Sequence, residues 1–429
     1  MRIAIIALGT RGDVQPYIAL GKGLKAAGHD LRLITHENFG GLVNDHGLEF
    51  WSVKGDVQAV METPEMRDLL EKGNFLAITA HTAAASQQAA IDWARDGFTA
   101  CQGMDLIIAG VGGLYVALSL AEKLQILFLQ AYIFPFTPTK AFPAILLPQS
   151  ISKLGGTVNW LSHHLFRQMM WQGFQKADRL ARKQVLNLPP LPFWGPYNLA
   201  ALRRYPTLYG FSSAVIPQPS DWTNTQLTGY WFLDEAIDWT PPAALRAFLE
   251  NGTKPVYIGF GSMGSRNPEA TANLVLQALE RSGQRGILLS GWGGLSQANL
   301  PDTVCMVKSV PHSWLFPRVA AVVHHGGAGT MAAGLRAGIP SIIIPFFGDQ
   351  LFWGQLVHKL GVGTAPIPRK QLTIELLAQA IDRATTDPTM IQQATNLGAK
   401  IQAEDGIANA VAIIAAIERD RGKRRIRTK

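Results

Sequence analysis

The pattern of apolar and polar positions opens with a short apolar run, residues 3–8, which reads IAIIAL. A continuous apolar run of this length is typical of a strand buried in a parallel sheet. The loop GTRGD at 9–13 follows, and a helix is predicted to open near Pro16 and to end at Gly28. A second strand is predicted at 31–35, so the chain begins with a right-handed strand–helix–strand unit.

The same pattern restarts in the second half of the chain. Strands at 105–109 and 126–129, around a helix that includes 118–124, continue the first half, and residues 134–222 then break the rhythm with many prolines and aromatic residues. The second half predicts a strand at 255–260, a loop at 261–265 and a helix at 273–281, with further strands at 286–290, 305–307, 321–324 and 341–345. We therefore predict an α/β fold with two Rossmann-like, doubly wound domains.

The domain boundaries follow from this restart. We assign residues 1–235 to an N-terminal domain, 236–252 to a linker, 253–405 to a C-terminal domain and 406–429 to a C-terminal helix and basic tail. Within the irregular segment, residues 157–186 predict one amphipathic helix. That helix either packs on the core, lines an apolar cleft or rests on a membrane surface.

Composition narrows the class of protein. Of 429 residues, 47% are hydrophobic and 16% are charged, which supplies ample buried core and argues against disorder. The first apolar run is too short for a signal peptide, and no window of 18 apolar residues predicts a spanning helix. Two cysteines, Cys101 and Cys305, give neither a disulfide framework nor a zinc spacing. We expect a cytoplasmic protein.

The positive charge is concentrated at the C-terminus. The last eleven residues contain seven basic residues and one acidic residue, so they carry +6 of the net charge of +8. This tail is either a solvated end, a peripheral contact with anionic lipid or a contact with nucleic acid. Nucleic acid is not an expected partner, because the rest of the chain has no signature of an RNA- or DNA-binding fold.

A glycine-rich turn is the strongest chemical feature. The segment HHGGAGT at 324–330 lies between a predicted strand and a helix that starts near Thr330 and ends at Gly338. Unpaired N–H groups and the helix dipole at such a start attract a diphosphate. Gly327, Gly329 and Thr330 are the candidate donors. The alternative is a purely structural turn.

An acidic residue and an amide follow the next strand. Asp349 and Gln350 lie at the carboxyl end of the strand predicted at 341–345, where ligands of parallel sheets bind. They could bind sugar hydroxyls. Taken alone, they are equally compatible with a helix N-cap and a surface amide.

Long motifs then carry a family resemblance. The segments PHSWLFPRVAAVVHHGGAGT at 311–330 and AGIPSIIIPFFGDQ at 337–350 resemble the donor site of the family 1 glycosyltransferases. The nearest groups are the sterol 3β-glucosyltransferases and the bacterial glycopeptide and macrolide glycosyltransferases. The segments 8–30, 228–234 (TGYWFLD) and 260–263 (FGSM) resemble the opening motif, the domain junction and a second phosphate loop of the same family.

The resemblance implies a GT-B fold, in which two domains face a central cleft, and an inverting transfer of a hexose, expected to be glucose, from a UDP-sugar. The acceptor would be a hydroxyl of a lipophilic molecule that is sterol-like, terpenoid, polyketide or phenolic. The UDP-sugar is a co-substrate, and no cofactor or metal is expected. The alternatives are a UDP-sugar epimerase and a noncatalytic nucleotide-sugar-binding protein. An NAD-dependent oxidoreductase is disfavoured, because the first loop reads GTRGD rather than GxGxxG.

The resemblance also implies a role for individual residues. His325, chosen over His324 because strand alternation turns the two opposite ways, would bind the diphosphate. The other implied residues are Gly327, Gly329, Thr330 and Ser262 for the diphosphate, Ser309, Val310 and His312 for uracil and ribose, Asp349 and Gln350 for the sugar, and Gly12, Phe134, Trp160 and Phe347 for the acceptor. Ser309 stands where many relatives have a stacking tryptophan.

The predicted catalytic base is Asp13. It follows the first strand at its carboxyl end and could take the proton of the acceptor hydroxyl. Without the resemblance, Asp13 would be interpreted as the N-cap of the first helix. Many relatives have a histidine at this position, oriented by an aspartate after a later strand. Here that second position is Gly110, so the resemblance implies a lone aspartate.

Overall fold

The structure, a computed structural model, describes the chain apart from residues 57–58, 61–62, 64, 67, 70–74, 235–238, 261–267, 290–299 and 428–429. Side chains at 75–76, 78–80, 82–86, 88, 268 and 421–427 are likewise outside the description.

Within the described residues, the strands form two parallel sheets. The first has the order β3-β2-β1-β4-β5-β6-β7 and the second the order β10-β9-β8-β11-β12. The strands are β1 (Arg2–Ile6), β2 (Asp30–His36), β3 (Glu49–Val53), β4 (Leu106–Ala109), β5 (Leu127–Tyr132), β6 (Thr207–Tyr209), β7 (Thr225–Leu227), β8 (Val256–Gly259), β9 (Gly286–Leu289), β10 (Val304–Val307), β11 (Ala321–His324) and β12 (Ser341–Ile343). The prediction of two doubly wound α/β domains is confirmed.

Helices connect these strands and cover both sheets. They are α1 (Arg11–Ala26), α2 (Gly40–Asp45), α3 (Phe75–Cys101), α4 (Leu114–Leu124), α5 (Gly156–Ala181), α6 (Ala200–Arg203), α7 (Ala243–Glu250), α8 (Pro268–Arg281), α9 (His312–Leu315), α10 (Ala328–Ala337), α11 (Gln350–Lys359), α12 (Ile374–Thr386), α13 (Pro388–Gln402) and α14 (Gly406–Arg427). We call the part built on the first sheet the first domain and the part built on the second sheet the second domain. Among the described residues, no helix combines the length and the apolar character needed to cross a bilayer.

Two features of the first domain differ from the prediction. Helix α1 begins at Arg11 rather than near Pro16, because Thr10 takes the N-cap position and Pro16 is accommodated inside the helix. The segment 134–222, in which the sequence predicts a helix and no strand, also contains β6, which pairs in parallel with β5 and, on its other edge, with β7.

The C-terminal helix α14 returns to the first domain. Its residues Ala410, Ile414 and Ile417 are buried in the same hydrophobic cluster as β1 and α1. The amino group of Met1 donates to Oε1 of Glu418 at 3.1 Å. The first domain is therefore completed by the last helix of the chain, while the partner of the basic tail stays a prediction.

The two domains touch at several polar and aromatic contacts. Arg336 of α10 binds Asp234 with two hydrogen bonds. The backbone N–H of Gln149 donates to Oε1 of Gln355 at 2.9 Å, and the rings of Phe142 and Phe352 lie 6.1 Å apart. These contacts fix how the ends of the two sheets face one another.

Candidate active site

Asp13 lies in the turn that follows β1, at the third position of α1. Its Oδ2 accepts hydrogen bonds from the backbone N–H of Thr10 at 2.8 Å and from the Thr10 hydroxyl at 3.0 Å. Burial raises the pKa of Asp13, and the two hydrogen bonds from Thr10 oppose that rise. The alternative of Asp13 as an N-cap is wrong, because Thr10 is the cap and Asp13 completes a capping box with it.

The space beside Asp13 has no room for a second carboxylate at Gly110. A Cβ atom added at Gly110 would collide with the hydroxyl of Tyr17. That hydroxyl is fixed, since it donates to the carbonyl oxygen of Ala131 at 2.5 Å. The packing thus gives a physical reason why residue 110 is a glycine and Asp13 stands without an aspartate partner there.

The glycine-rich turn in the second domain leads from β11 directly into α10. Gly326 has a φ of +92°, and a Cβ added there would press on Ile343 and on the backbone of Gln350. Gly327 is the N-cap residue and Gly338, with a φ of +71°, ends the helix as predicted. The helix starts at Ala328, slightly before the expected Thr330, and its first turn contains both Gly329 and Thr330.

The two adjacent histidines have different roles in this turn. His324 is fully buried, and its Nδ1 accepts a hydrogen bond from the N–H of Gly326 at 3.1 Å. His325 is only partly buried, and its Nε2 lies where a side chain at Gly327 would have to go. Burial lowers the pKa of His325 to about 4, so the imidazole is neutral near pH 7. His324 supports the turn, and His325 packs over it.

The predicted uracil loop contains one core residue. Val310 is buried in a hydrophobic cluster of the second domain, while Ser309 is exposed. The ring of His312 stacks on Phe316 at 4.3 Å, and burial lowers its pKa to about 4. Because the side chain of Val310 is buried, only its backbone could contact a base.

Asp349 and Gln350 lie at the start of α11, after β12. Oδ2 of Asp349 accepts a hydrogen bond from Nε1 of Trp353 at 2.7 Å, and burial raises the pKa of Asp349 to about 6. Gln350 is buried rather than a surface amide. Its Oε1 accepts from the N–H groups of Phe346 and Phe347 at 2.7 and 3.2 Å, so this oxygen holds the turn in front of Asp349.

The turn at 9–13 lies near the carboxyl end of the second sheet. The negative charge of Asp13 contributes, after burial, to the raised pKa of Asp349, and the positive charge of Arg11 contributes, after burial, to the lowered pKa of His312. Each pair joins a residue after β1 to a residue that follows a strand of the second sheet. We call the space between these two sheet ends the crevice.

The four predicted acceptor residues lie on different elements. Gly12 is exposed beside Asp13, and Phe134 packs edge to face on Phe136 with the ring centres 6.4 Å apart. Phe347, in the second domain, packs against Met66 of the first. Trp160 is 40% exposed on α5, and its ring lies 4.1 Å from that of His164.

Sequence reasoning missed three supporting residues. Arg11 was read only as part of the first loop, Trp353 was not considered, and His324 was set aside in favour of His325. A spacing of four residues on a helix from Asp349 to Trp353 could have indicated that pair. The predicted phosphate residue Ser262 lies outside the described residues.

Comparisons with known proteins agree with this arrangement. Residues 3–143 match the Glycosyltransferase family 28 N-terminal domain, and residues 292–417 match the Erythromycin biosynthesis protein CIII-like, C-terminal domain. A sterol 3-beta-glucosyltransferase of Aspergillus clavatus is 39% identical over 98% of the chain, and the chain spans 30% of that relative's length. Sterol 3-beta-glucosyltransferase UGT80B1 of Arabidopsis thaliana is 37% identical over 96% of the chain and 67% of its own length.

Solved structures share the fold over nearly the whole chain. Spinosyn rhamnosyltransferase SpnG superposes with a TM-score of 0.65 at 17% identity, covering 97% of this chain and 100% of its own. The glycosyltransferase SnogD of Streptomyces nogalater gives a TM-score of 0.63 at 20% identity, with coverage of 97% and 100%. At these identities the likeness concerns the fold alone.

Two parallel α/β domains whose sheet ends face one another form the GT-B architecture, which these solved structures share. The chain belongs to the glycosyltransferase family that includes the sterol 3-beta-glucosyltransferases.

Proposed function

We propose that this protein transfers glucose from UDP-glucose to a hydroxyl of a lipophilic, sterol-like acceptor, with inversion at the sugar C1. The observation that carries the proposal is the position of Asp13 after β1 and of Asp349 after β12, near enough for the charge of Asp13 to contribute to the raised pKa of Asp349. A base in one domain and a sugar-binding carboxylate in the other would then face the same hexose. The similarity to sterol 3-beta-glucosyltransferases supports glucose as the sugar and a lipophilic alcohol as the acceptor.

In this mechanism the acceptor oxygen attacks C1 as the bond from C1 to the diphosphate breaks. Asp13 takes the proton of the acceptor hydroxyl, a contribution of typically about 10²–10⁴-fold in rate. His325 and the N–H groups at the start of α10 stabilise the negative charge of the departing UDP. Asp349, held by Trp353, accepts from hydroxyls of the hexose. Gln350 holds the turn that positions Asp349 and is the second proposed contact of the hexose.

The test is a matrix of donors and acceptors analysed by mass spectrometry. UDP-glucose, UDP-galactose, UDP-GlcNAc and a TDP-sugar are each incubated with mixed sterols and phenolics. We expect a glucosylated sterol-like product from UDP-glucose, with a β-linkage by NMR. Product formation confined to another donor, or to no lipophilic acceptor at all, would contradict the proposal.

Two controls separate the alternatives. UDP-glucose incubated without acceptor should not convert to UDP-galactose, which an epimerase would produce. Slow release of free glucose without acceptor would still mark a catalytic protein rather than a nucleotide-sugar-binding one. We also propose that the reaction is independent of a metal ion, so activity should persist in excess EDTA.

We further propose a peripheral contact with a membrane, since the expected acceptors partition into bilayers. The basic C-terminal tail supports such a contact by its charge.

A further inference from the structure

The exposed large hydrophobic side chains are concentrated on one part of the first domain. Of the eight found among the described residues, six lie between positions 154 and 194. We call these six the outer-helix surface; they are Leu154, Trp160, Leu161, Leu165, Phe193 and Trp194. Scattered exposed apolar residues need no explanation, whereas a concentration of this kind marks an interaction site.

Two leucines of this surface share one face of α5. Leu161 and Leu165 are four residues apart, so they lie one turn from each other, and they are 53% and 69% exposed. The opposite face of α5 is buried and includes Phe166 and Trp171. Among the described residues, these two leucines are therefore left exposed on the outer face of the helix.

The loop with Phe193 and Trp194 is fixed to the same helix. Its Phe193 carbonyl oxygen accepts hydrogen bonds from side chains of α5 at 3.1, 2.9 and 3.1 Å; the donors are Gln168, Trp171 and Gln172. Gly195, with a φ of +80°, packs directly on the Trp171 ring. The two aromatic rings, 59% and 70% exposed, are thus held outward just beyond Leu165.

The exposed charges of the chain segment that forms the outer-helix surface are basic. From residue 123 to residue 220, Asp178 is the only acidic residue, and it is buried, where its Oδ1 accepts from the Ser119 hydroxyl. The exposed basic residues of this span are Lys123, Lys140, Lys153, Lys176, Arg179, Lys183, Arg203 and Arg204. Lys176 follows Leu165 by eleven residues, about three helical turns, and Arg179 and Lys183 follow at further spacings of three and four residues. An apolar patch in a segment whose exposed charges are basic complements an anionic lipid surface.

We propose that the outer-helix surface docks the protein on an anionic bilayer, with the leucines and aromatic rings entering the headgroup region and the basic stripe lying on the lipid phosphates. The inference rests on the proposed function in that a lipophilic acceptor would be drawn from the same bilayer. It assigns the contact to the first domain, the acceptor side of the crevice, rather than to the basic tail.

The first experiment measures binding without any substrate. The full chain is sedimented with vesicles of phosphatidylcholine, with and without phosphatidylglycerol. We expect binding to the anionic vesicles, a loss of at least about 10-fold in partition for Leu161→Gln/Leu165→Gln and for Phe193→Gln/Trp194→Gln, and loss of the preference for phosphatidylglycerol in Lys176→Gln/Arg179→Gln/Lys183→Gln. The matched control is Leu376→Gln, which replaces an exposed leucine of the second domain and should bind as the wild type does.

The second experiment separates docking from catalysis. With an acceptor dispersed in detergent, the outer-helix variants should retain wild-type kcat, whereas with the acceptor embedded in anionic vesicles they should lose activity in proportion to binding. Absence of activity in detergent for the wild type would count against the proposed function and leave the vesicle-binding result to stand by itself.

Three results would overturn the docking proposal. One is wild-type vesicle binding by both apolar double variants. A second is loss of binding on deletion of residues 419–429 while the outer-helix variants still bind, which would assign the contact to the tail. The third is a dimer in sedimentation velocity that these variants convert to a monomer without any change in vesicle binding, which would make the surface a contact between two copies of the chain.

Discussion

At the scale of single residues, the chemistry depends on how Asp13 is held. An exposed aspartate, with a pKa near 3.9, is a poor base toward an alcohol. Burial in the crevice raises the pKa of Asp13, and the two hydrogen bonds from Thr10 keep its carboxylate in one orientation. The same side chain therefore completes the start of α1 and serves as the proposed base.

Replacing Asp13 separates these two roles. We expect Asp13→Asn to lower kcat at least about 10²-fold, because an amide cannot accept the acceptor proton. UDP affinity by calorimetry should change little, and the midpoint of thermal unfolding should stay close to that of the wild type, since the amide oxygen can still accept from Thr10. A variant with full kcat would remove Asp13 from the mechanism.

The two carboxylates predict a divided pH dependence. Both carboxyl groups have raised pKa values, so each loses its negative charge when the pH falls through its pKa, which is about 6 for Asp349. Below pH 6 we expect KM for the UDP-sugar to rise as Asp349 is protonated. We expect kcat to fall as Asp13 is protonated, at a pH above the ordinary pKa of an aspartate. Asp349→Asn should have a high KM that no longer depends on pH between 5 and 7. An unchanged KM profile in that variant would contradict the assignment.

Much of the site was predictable from sequence because its residues follow strands at the carboxyl edge of a sheet. Asp13, the glycine turn and Asp349 were located in this way, and the structure places them along one crevice. The burial of Val310 and the coupling of Arg11 to His312 were not predictable. The burial of Val310 depends on packing within the second domain, and the coupling of Arg11 to His312 depends on how the two domains face each other. Periodicity along the chain encodes neither.

At the scale of elements, the turn from β11 into α10 explains the positions of its glycines. Gly326 has to adopt a positive φ and approaches the backbone of Gln350, which holds the turn before Asp349. Gly329, in the first turn of the helix, has open space where a Cβ would lie. The backbone conformation thus requires a glycine at position 326 and does not require one at position 329.

This difference predicts opposite outcomes for two similar substitutions. Gly326→Ala should destabilise the protein by about 1–3 kcal/mol and raise KM for the donor, because both the positive φ and the close approach are lost. Gly329→Ala keeps the backbone N–H. It should leave the free energy of unfolding close to that of the wild type and the donor KM within about 2-fold. Urea unfolding and steady-state kinetics measure both; equal effects of the two substitutions would show that conformation at Gly326 is not the deciding factor.

The elements that the sequence did not reveal share a physical cause. Strands β6 and β7 have only three residues each, and residues such as Thr207, Thr225 and Gln226 interrupt any apolar run there. Their places in the sheet come from the pairing of β6 with β5 and of β7 with β6. Long apolar runs such as β1 and β11 were found because they are buried on both faces.

At the scale of the whole molecule, the first domain includes a helix that follows the second domain in sequence. Helix α14 buries Ala410, Ile414 and Ile417 against α1 and β1, and Ile407 fills the space above Gly23. The contact is apolar and continuous with the core of the first sheet. The C-terminal helix is therefore part of the first domain in structure, although it follows the second in sequence.

A substitution in α14 tests this dependence. Ile414 is fully buried, so Ile414→Ala should lower the free energy of unfolding by about 2–4 kcal/mol. Ile413→Ala, at the neighbouring and only partly buried position, is the matched control and should cost less than half as much. Urea denaturation followed by circular dichroism gives both values, and similar costs for the two would indicate that the helix is not docked as described.

The return of α14 also means that the polypeptide crosses between the domains twice. The two crossings pass side by side, since a Cβ at Gly229, where φ is +96°, would touch the backbone of Gly406, and Asn409 donates to the carbonyl oxygen of Thr228. Two chain segments that are held together at one place can act as a hinge between the domains. We expect the second domain to rotate about this hinge, so that the opening that admits donor and acceptor changes in width more at its outer edge than next to the hinge.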